Sequence, residues 1–137
     1  MRATTGTVRT TAVKPETVRK GIVVFGHGSS VPSANDAVRS VAVEAARAGQ
    51  WDLYETAFLE VSPRLDEAVA RLVQAGAGEI LILPYFLTLG IHLQRDLPKL
   101  VLDLEAVHQI PIHVTPPLHG HPALSAILVA RALEVTA

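Results

Sequence analysis

Cysteine is absent from this chain of 137 residues. Its absence excludes a disulfide framework and any thiolate metal site, and fits a reducing compartment, so a cytoplasmic location is expected. Aromatic residues are scarce, 4% beside a hydrophobic fraction of 49%. The core must therefore rest on Val, Leu, Ile and Ala, as in a buried parallel sheet with its covering helices. No apolar run reaches the ~20 residues of a spanning helix. The longest, near Ile80–Leu93, is broken by Pro84, Thr88, Gly90 and His92, so no membrane segment is expected. A basic surplus is missing too. Residues 1–20 hold five of the twelve Lys and Arg and only Glu16 among the acids, leaving a body with seven basic and twelve acidic side chains. A body at −5 is a poor nucleic-acid partner, because phosphate neutralisation needs clustered cations. The Thr- and Arg-rich stretch 1–20 lacks apolar periodicity and reads as a disordered extension, with no apolar core for a signal peptide.

From Gly21 onward, strand and helix patterns alternate. Ile22–Phe25 reads as a strand, followed by a helix from Pro32 to Ala48. That helix repeats Ala34, Val38, Val41, Ala42 and Ala45 at helical spacing and stops at Gly49. A second strand ends near Phe58–Glu60. Ser62 and Pro63 read as N-cap and first turn of a second helix, with Leu65, Ala68, Val69, Leu72 and Val73 on one face. Glu79–Leu83 is a third strand whose unbroken Ile-Leu-Ile-Leu suggests burial on both faces. A helix over His92–Ala106, a strand at Ile112–Thr115 and a last helix opened by His121-Pro122 complete the pattern. The expectation is one domain over residues 21–137, a three-layer α/β/α fold with a four-stranded, mostly parallel, flavodoxin-like sheet. His27, Glu60, the Pro84–His92 loop and the His119–His121 segment then share the carboxyl edge of the sheet, where such folds bind ligands.

Two histidines on that edge carry the chemistry. Gly26-His27-Gly28-Ser29-Ser30 is a small-residue loop running into a helix, a natural anion site. It has neither Walker nor GxGxxG spacing. Glu60 closes an apolar strand, and its carboxylate must reach water, a partner or a metal; a surface or capping role is equally open. His92 lies four residues before Asp96, within hydrogen-bonding reach on a helix. Two imidazoles and a carboxylate suit a divalent first-row ion with open positions. His108 and His113 flank the amino end of the fourth strand, away from this edge. His119 and His121 lie on the right edge, either as further ligands or as solvent-facing and capping residues.

These stretches, with Ala57-Phe-Leu-Glu60, Leu83-Pro-Tyr-Phe-Leu87, Gly90-Ile-His92, Asp96-Leu-Pro98, Pro116-Pro-Leu118 and His121-Pro-Ala-Leu124, resemble the small CbiX-type sirohydrochlorin chelatases. These are class II tetrapyrrole chelatases of cobalamin and sirohaem synthesis, and the motifs follow the family's order over residues 21–135. The resemblance implies a lyase that inserts a divalent ion, Co²⁺ first, then Fe²⁺ or Ni²⁺, into sirohydrochlorin without ATP or another cofactor. It implies His27, His92 and Glu60 as metal and catalytic residues, and a homodimer. Gly28, Ser29, Ser30 and Arg95 are then expected to hold the ring's carboxylates, with Lys99 nearby. Metal ligation needs neutral imidazole, so activity should fall at low pH. The rival reading is a non-catalytic metal-binding or delivery module built on the same three residues. A phosphate or nucleotide binder using the Gly26–Ser30 loop leaves Glu60 and His92 unused, and a histidine phosphatase lacks an arginine directly before His27.

Overall fold

The computed structural model describes residues 18–136. Four strands, β1 (Lys20–Gly26), β2 (Leu53–Phe58), β3 (Glu79–Pro84) and β4 (Ile112–Val114), alternate with α1 (Pro32–Gly49), α2 (Leu65–Gln74), α3 (Ile91–His108) and α4 (Ala123–Thr136). Every pairing is parallel, in the order β2-β1-β3-β4. The chain steps from β1 to one side and then returns across it to β3, so the switch point lies between the carboxyl ends of β1 and β3. The expected α/β architecture is present, with the sheet wholly parallel. The expected tail lies outside the described residues as far as residue 17, while Lys20 already pairs with Glu79 and Gly78 N–H donates to the Arg19 carbonyl at 2.8 Å.

The pleat divides the sheet residues between two faces. Val23, Phe25, Ala57, Ile80, Ile82 and Ile112 meet Leu65, Val69 and Leu72 of α2 and Leu97, Val101 and Leu104 of α3 in one buried core. On the opposite face, α1 packs over β1 and β2 through Ala42 and Ala46. Ala34 and Val41, expected on its inner stripe, are exposed. β3 corrects a second expectation. Ile80 and Ile82 are fully buried, but Leu81 and Leu83 are only half-buried, because no helix covers them. Among the described residues, no helix is long and apolar enough to cross a membrane.

Gly21 lets α2 approach β1 closely. A Cβ there would stand 2.9 Å from Ile80 Cδ1, 3.1 Å from Ala77 Cβ and 3.2 Å from Leu72 Cβ. Gly21→Ala is expected to cost about 1–2 kcal/mol, overpacking outweighing the gain from a stiffer strand. A thermal melt checks this; an unchanged midpoint would contradict it.

Helix ends depart from their expected residues for local reasons. α1 stops at Gln50, held left-handed at φ 58, and not at Gly49. Gly49 is small because a Cβ would lie 2.5 Å from the Trp51 indole. α2 starts three residues after the expected Ser62 cap. Phe58 N–H donates to the Pro63 carbonyl, which holds residues 58–63 in a turn, and Arg64 becomes the cap. Glu67 accepts from Arg64 N–H at 2.7 Å and from the Ser62 hydroxyl at 3.1 Å. Those bonds, the backbone one first, lower the Glu67 pKa. A depressed carboxyl stabilises the fold above its unfolded pKa, and the contribution is lost as pH falls through the folded value. Glu67→Gln should therefore lower the melting temperature at pH 7 and lessen its fall between pH 5 and 3. Parallel melts at the two ends of that range measure the difference.

Candidate functional site at the sheet's carboxyl edge

The first histidine is positioned by a loop that holds itself. β1 ends at Gly26, His27 follows exposed to solvent, and Gly28 turns the chain at φ 88. The Cβ side of Gly28 is filled by Phe58 and Val61. Its small size therefore serves packing beneath the loop, not access for a ligand above it. Asn35, in the first turn of α1, clamps Ser29 from both directions. Its Oδ1 accepts from Ser29 N–H at 2.9 Å, and its Nδ2 donates to the Ser29 carbonyl at 2.8 Å. The Ser29 hydroxyl oxygen accepts from Val31 N–H at 3.0 Å. These bonds correct the expected role of Ser29. Its amide is occupied inside the loop, and only its hydroxyl proton is left to meet a carboxylate. Sequence reading missed Asn35, whose one signal is an amide side chain six residues beyond Ser29.

Glu60 joins His27 through the backbone. Its N–H donates to the His27 carbonyl at 2.9 Å, and Leu59 N–H bonds the same edge. The Glu60 side chain is exposed, so its charge reaches water without a buried partner. The second histidine arrives from the neighbouring strand. Tyr85 N–H donates to the Phe25 carbonyl at 2.7 Å, tying the β3 loop to β1. Phe86 then packs edge-on against Phe25, with ring centroids 5.6 Å apart, and against the His27 imidazole at 6.5 Å. Phe86, from the loop that leads to His92, thus meets the His27 ring, a contact that its Pro-Tyr-Phe context did not disclose. Gly90 caps α3, and His92 stands exposed in its first turn.

The two imidazoles are held differently. His27 Nδ1 lies 3.0 Å from the Gly28 carbonyl oxygen. A carbonyl only accepts, so Nδ1 carries the proton and the neutral ring has its lone pair on Nε2. His92 Nδ1 lies 3.0 Å from Arg95 Nη2. A guanidinium only donates, so here Nδ1 is the acceptor. The expected His92–Asp96 contact is replaced by a chain: Asp96 Oδ1 accepts from Arg95 Nε at 3.2 Å, and Arg95 turns to His92. Lys99 is paired with Asp103 at 3.2 Å.

His27, Glu60 and His92 thus share one edge. Among the described residues, however, no three His, Asp or Glu side chains stand close enough to hold a metal ion. His113 lies within β4, and not at its amino end. His119 and His121 line a separate cavity of about 620 Å³ with Leu83, Pro84 and Pro117. His121 Nδ1 accepts from Ala123 N–H at 3.0 Å, capping α4.

Asn35→Ala should loosen the His27 loop, costing about 1–2 kcal/mol for the lost pair of bonds. Asn35→Asp keeps the acceptor for Ser29 N–H and should recover part of that. Amide hydrogen exchange at Ser29 reports it directly: protection should fall in the Ala variant and largely survive in the Asp variant.

The family model for CbiX matches residues 21–135. A sirohydrochlorin cobaltochelatase from Methanococcoides burtonii is 30% identical over 125 residues, covering 84% of this chain and 95% of that one. Another, from Methanopyrus kandleri, is 33% identical over 81 residues, covering 58% of this chain and only 57% of its own length. Among solved structures, a cobalamin biosynthesis CbiX protein from Marinobacter aquaeolei superposes with a TM-score of 0.74 at 27% identity, covering 84% of this chain and 93% of that chain. The sirohydrochlorin chelatase SirB from Bacillus subtilis subspecies spizizenii, in complex with cobalt, gives 0.63 at 25% identity, covering 73% of this chain and 44% of its own. The CbiX match spans nearly the whole described length, and the chain belongs to the CbiX family.

Proposed function

We propose that this chain inserts a divalent metal ion into sirohydrochlorin without ATP, with cobalt ahead of iron and nickel as the ion. The observation that carries this reading is the pair of differently held imidazoles on either side of the β1/β3 switch point. Metallation exchanges one M²⁺ for two pyrrole N–H protons, with no change of oxidation state. The site must therefore present a metal and accept protons.

His27 suits the first task. Its Nδ1 proton is directed to the Gly28 carbonyl, leaving Nε2 free to carry the ion. His92 suits the second once Arg95 turns away. A ring carboxylate draws the guanidinium off His92, and the freed Nδ1 lone pair takes a pyrrole proton. Glu60, beside His27, passes protons to water or adds an oxygen ligand. Arg95, the Ser29 hydroxyl and the Gly28–Ser30 loop hold carboxylates at the ring's rim. An imidazole nitrogen accepts cobalt, iron and nickel alike, so supply governs choice; the names of the relatives support cobalt. The protein works in the cytoplasm as a pair of identical copies, serving cobalamin or sirohaem synthesis.

An anaerobic assay following sirohydrochlorin absorbance with Co²⁺, Fe²⁺ or Ni²⁺, with no nucleotide added, tests the reading. The metallated spectrum should appear faster than in the protein-free control with at least one ion. Metal binding without metallation would instead indicate a delivery module.

A further inference from the structure

The ring of the proposed reaction carries carboxylates, and both cations expected to meet them are already engaged. Lys99 is paired with Asp103 at 3.2 Å. Arg95 divides its guanidinium between Asp96 and His92. Of the other cations among the described residues, Arg39, Arg47, Arg71 and Arg131 each face a carboxylate. Arg19 and Lys20 lie at the amino end of β1, on the opposite edge of the sheet from His27. That leaves Arg64. It stands exposed at the start of α2, on the carboxyl edge, and among the described residues no carboxylate comes within 4 Å of its guanidinium.

The Arg64 side chain is anchored at one corner. Its Nη1 donates to the carbonyl of Leu59 at 2.9 Å, one residue before Glu60. Glu67 accepts from the Arg64 backbone N–H and from Ser62, so that acid is directed at the turn and not at the guanidinium. With Nη1 fixed, the Nε–Nη2 edge has no partner among the described residues. That edge presents two parallel N–H groups, the arrangement that takes both oxygens of one carboxylate. A planar fork already held in place loses little freedom on making two more bonds.

The same fork borders a small cavity beside the site. Arg64 lines about 240 Å³ with Phe25, Leu59, Leu65, Asp66 and Leu100. Three of these walls lead to site residues. Phe25 packs against Phe86, which meets the His27 ring. Leu59 precedes Glu60, whose N–H bonds the His27 carbonyl. Leu100 lies on α3 about 12 Å along the axis from His92. Pockets that enclose whole ligands run to roughly 300–1,000 Å³, so this one suits a side arm of a ring and not the ring itself. Asp66 on its wall opposes a lone anion. A carboxylate tethered to a ring that other groups already hold arrives at high effective concentration and overcomes that opposition.

We infer that Arg64 takes one carboxylate arm of the tetrapyrrole, its Nε–Nη2 edge across both oxygens while Nη1 keeps the Leu59 carbonyl. The inference rests on the chelatase reading and adds to it a residue that selects among rings: one bearing a carboxylate at that corner is held, one lacking it is not. The guanidinium also touches the backbone next to Glu60, so seating the arm steadies the turn that carries this acid.

Titration of metal-free sirohydrochlorin tests the assignment, done anaerobically at low salt with no metal and followed by the ring's absorbance. Arg64→Ala should weaken binding about tenfold, the scale of one charge-assisted pair at an exposed position. Arg64→Lys keeps the charge without the fork and should recover part of the loss. Should Arg64→Ala fold poorly, Arg64→Gln, which retains a donor for the Leu59 carbonyl, takes its place. The control is the same ring with its carboxylates converted to primary amides. On that neutral ring Arg64→Ala should lose much less, because the charge that Arg64 answers is gone. Full affinity of Arg64→Ala for the acid ring would overturn the subsite. Equal losses on the acid and amide rings would overturn it too, since loss of the Leu59 bond alone weakens both alike. Parent protein that binds the acid ring but never metallates it would defeat the chelatase reading and not the Arg64 contact. Parent protein that metallates while Arg64→Ala binds unchanged would defeat the Arg64 contact alone.

Discussion

His27→Ala is expected to slow metal insertion by about 10²–10⁴-fold, the range in which a positioned proton or metal carrier contributes. The fold should survive, since the side chain is exposed and makes one hydrogen bond to its neighbour; exposed substitutions usually stay within about 0.5 kcal/mol. His92→Ala should cause a similar loss by a different route. If His27 carries the ion, its removal raises the metal concentration needed for half-maximal rate. If His92 takes the proton, its removal lowers the rate at saturating metal. The double variant should show both changes together, since the two losses fall on different kinetic parameters. Steady-state rates against metal concentration separate the cases. Full activity in either single variant would sink the mechanism, and a fall of the same kinetic parameter alone in both variants would sink the division of roles.

The proposed division could not be read from the sequence, although the placement of the three residues on one edge could. His27, Glu60 and His92 were legible as a group because apolar runs marked three strand ends, and a parallel sheet sends all its carboxyl ends to one edge. The strand order was not legible, since an apolar run carries no label for its neighbour. The placement of His92 beside β1 came only with the β3–β1 register. The His92 partner illustrates a finer limit. Arg95 and Asp96, three and four residues on, are equally near on a helix, and the choice fell to Arg95 with Asp96 holding its other side. The apolar character of α4 points to burial, yet none of its described residues is buried.

Gly28→Ala is expected to be the most damaging single methyl added near the site. Two costs coincide there. At φ 88 an alanine takes a left-handed backbone that L side chains avoid, at about 1–2 kcal/mol. The new Cβ also meets Phe58 Cβ and Val61 Cγ2, both at 2.9 Å, and Val61 N at 3.3 Å. Phe58 is fully buried in β2 under the Arg39 guanidinium, and Val61 N belongs to the backbone that follows Glu60, so neither yields easily. Overpacking adds roughly 1–3 kcal/mol, for a sum of about 2–5 kcal/mol. In a domain of this size, the melting temperature should fall by around 10 °C. Asparagine tolerates left-handed backbone better but brings the same Cβ, so Gly28→Asn should recover little if crowding dominates. Relief of the clash has one direction open, outward, and it carries His27 away from the carbonyl contact with Glu60. Metallation measured well below the lowered midpoint should therefore drop beyond what the unfolded fraction explains. A variant that melts within about 2 °C of the parent and keeps its rate would show that the loop does not need glycine there.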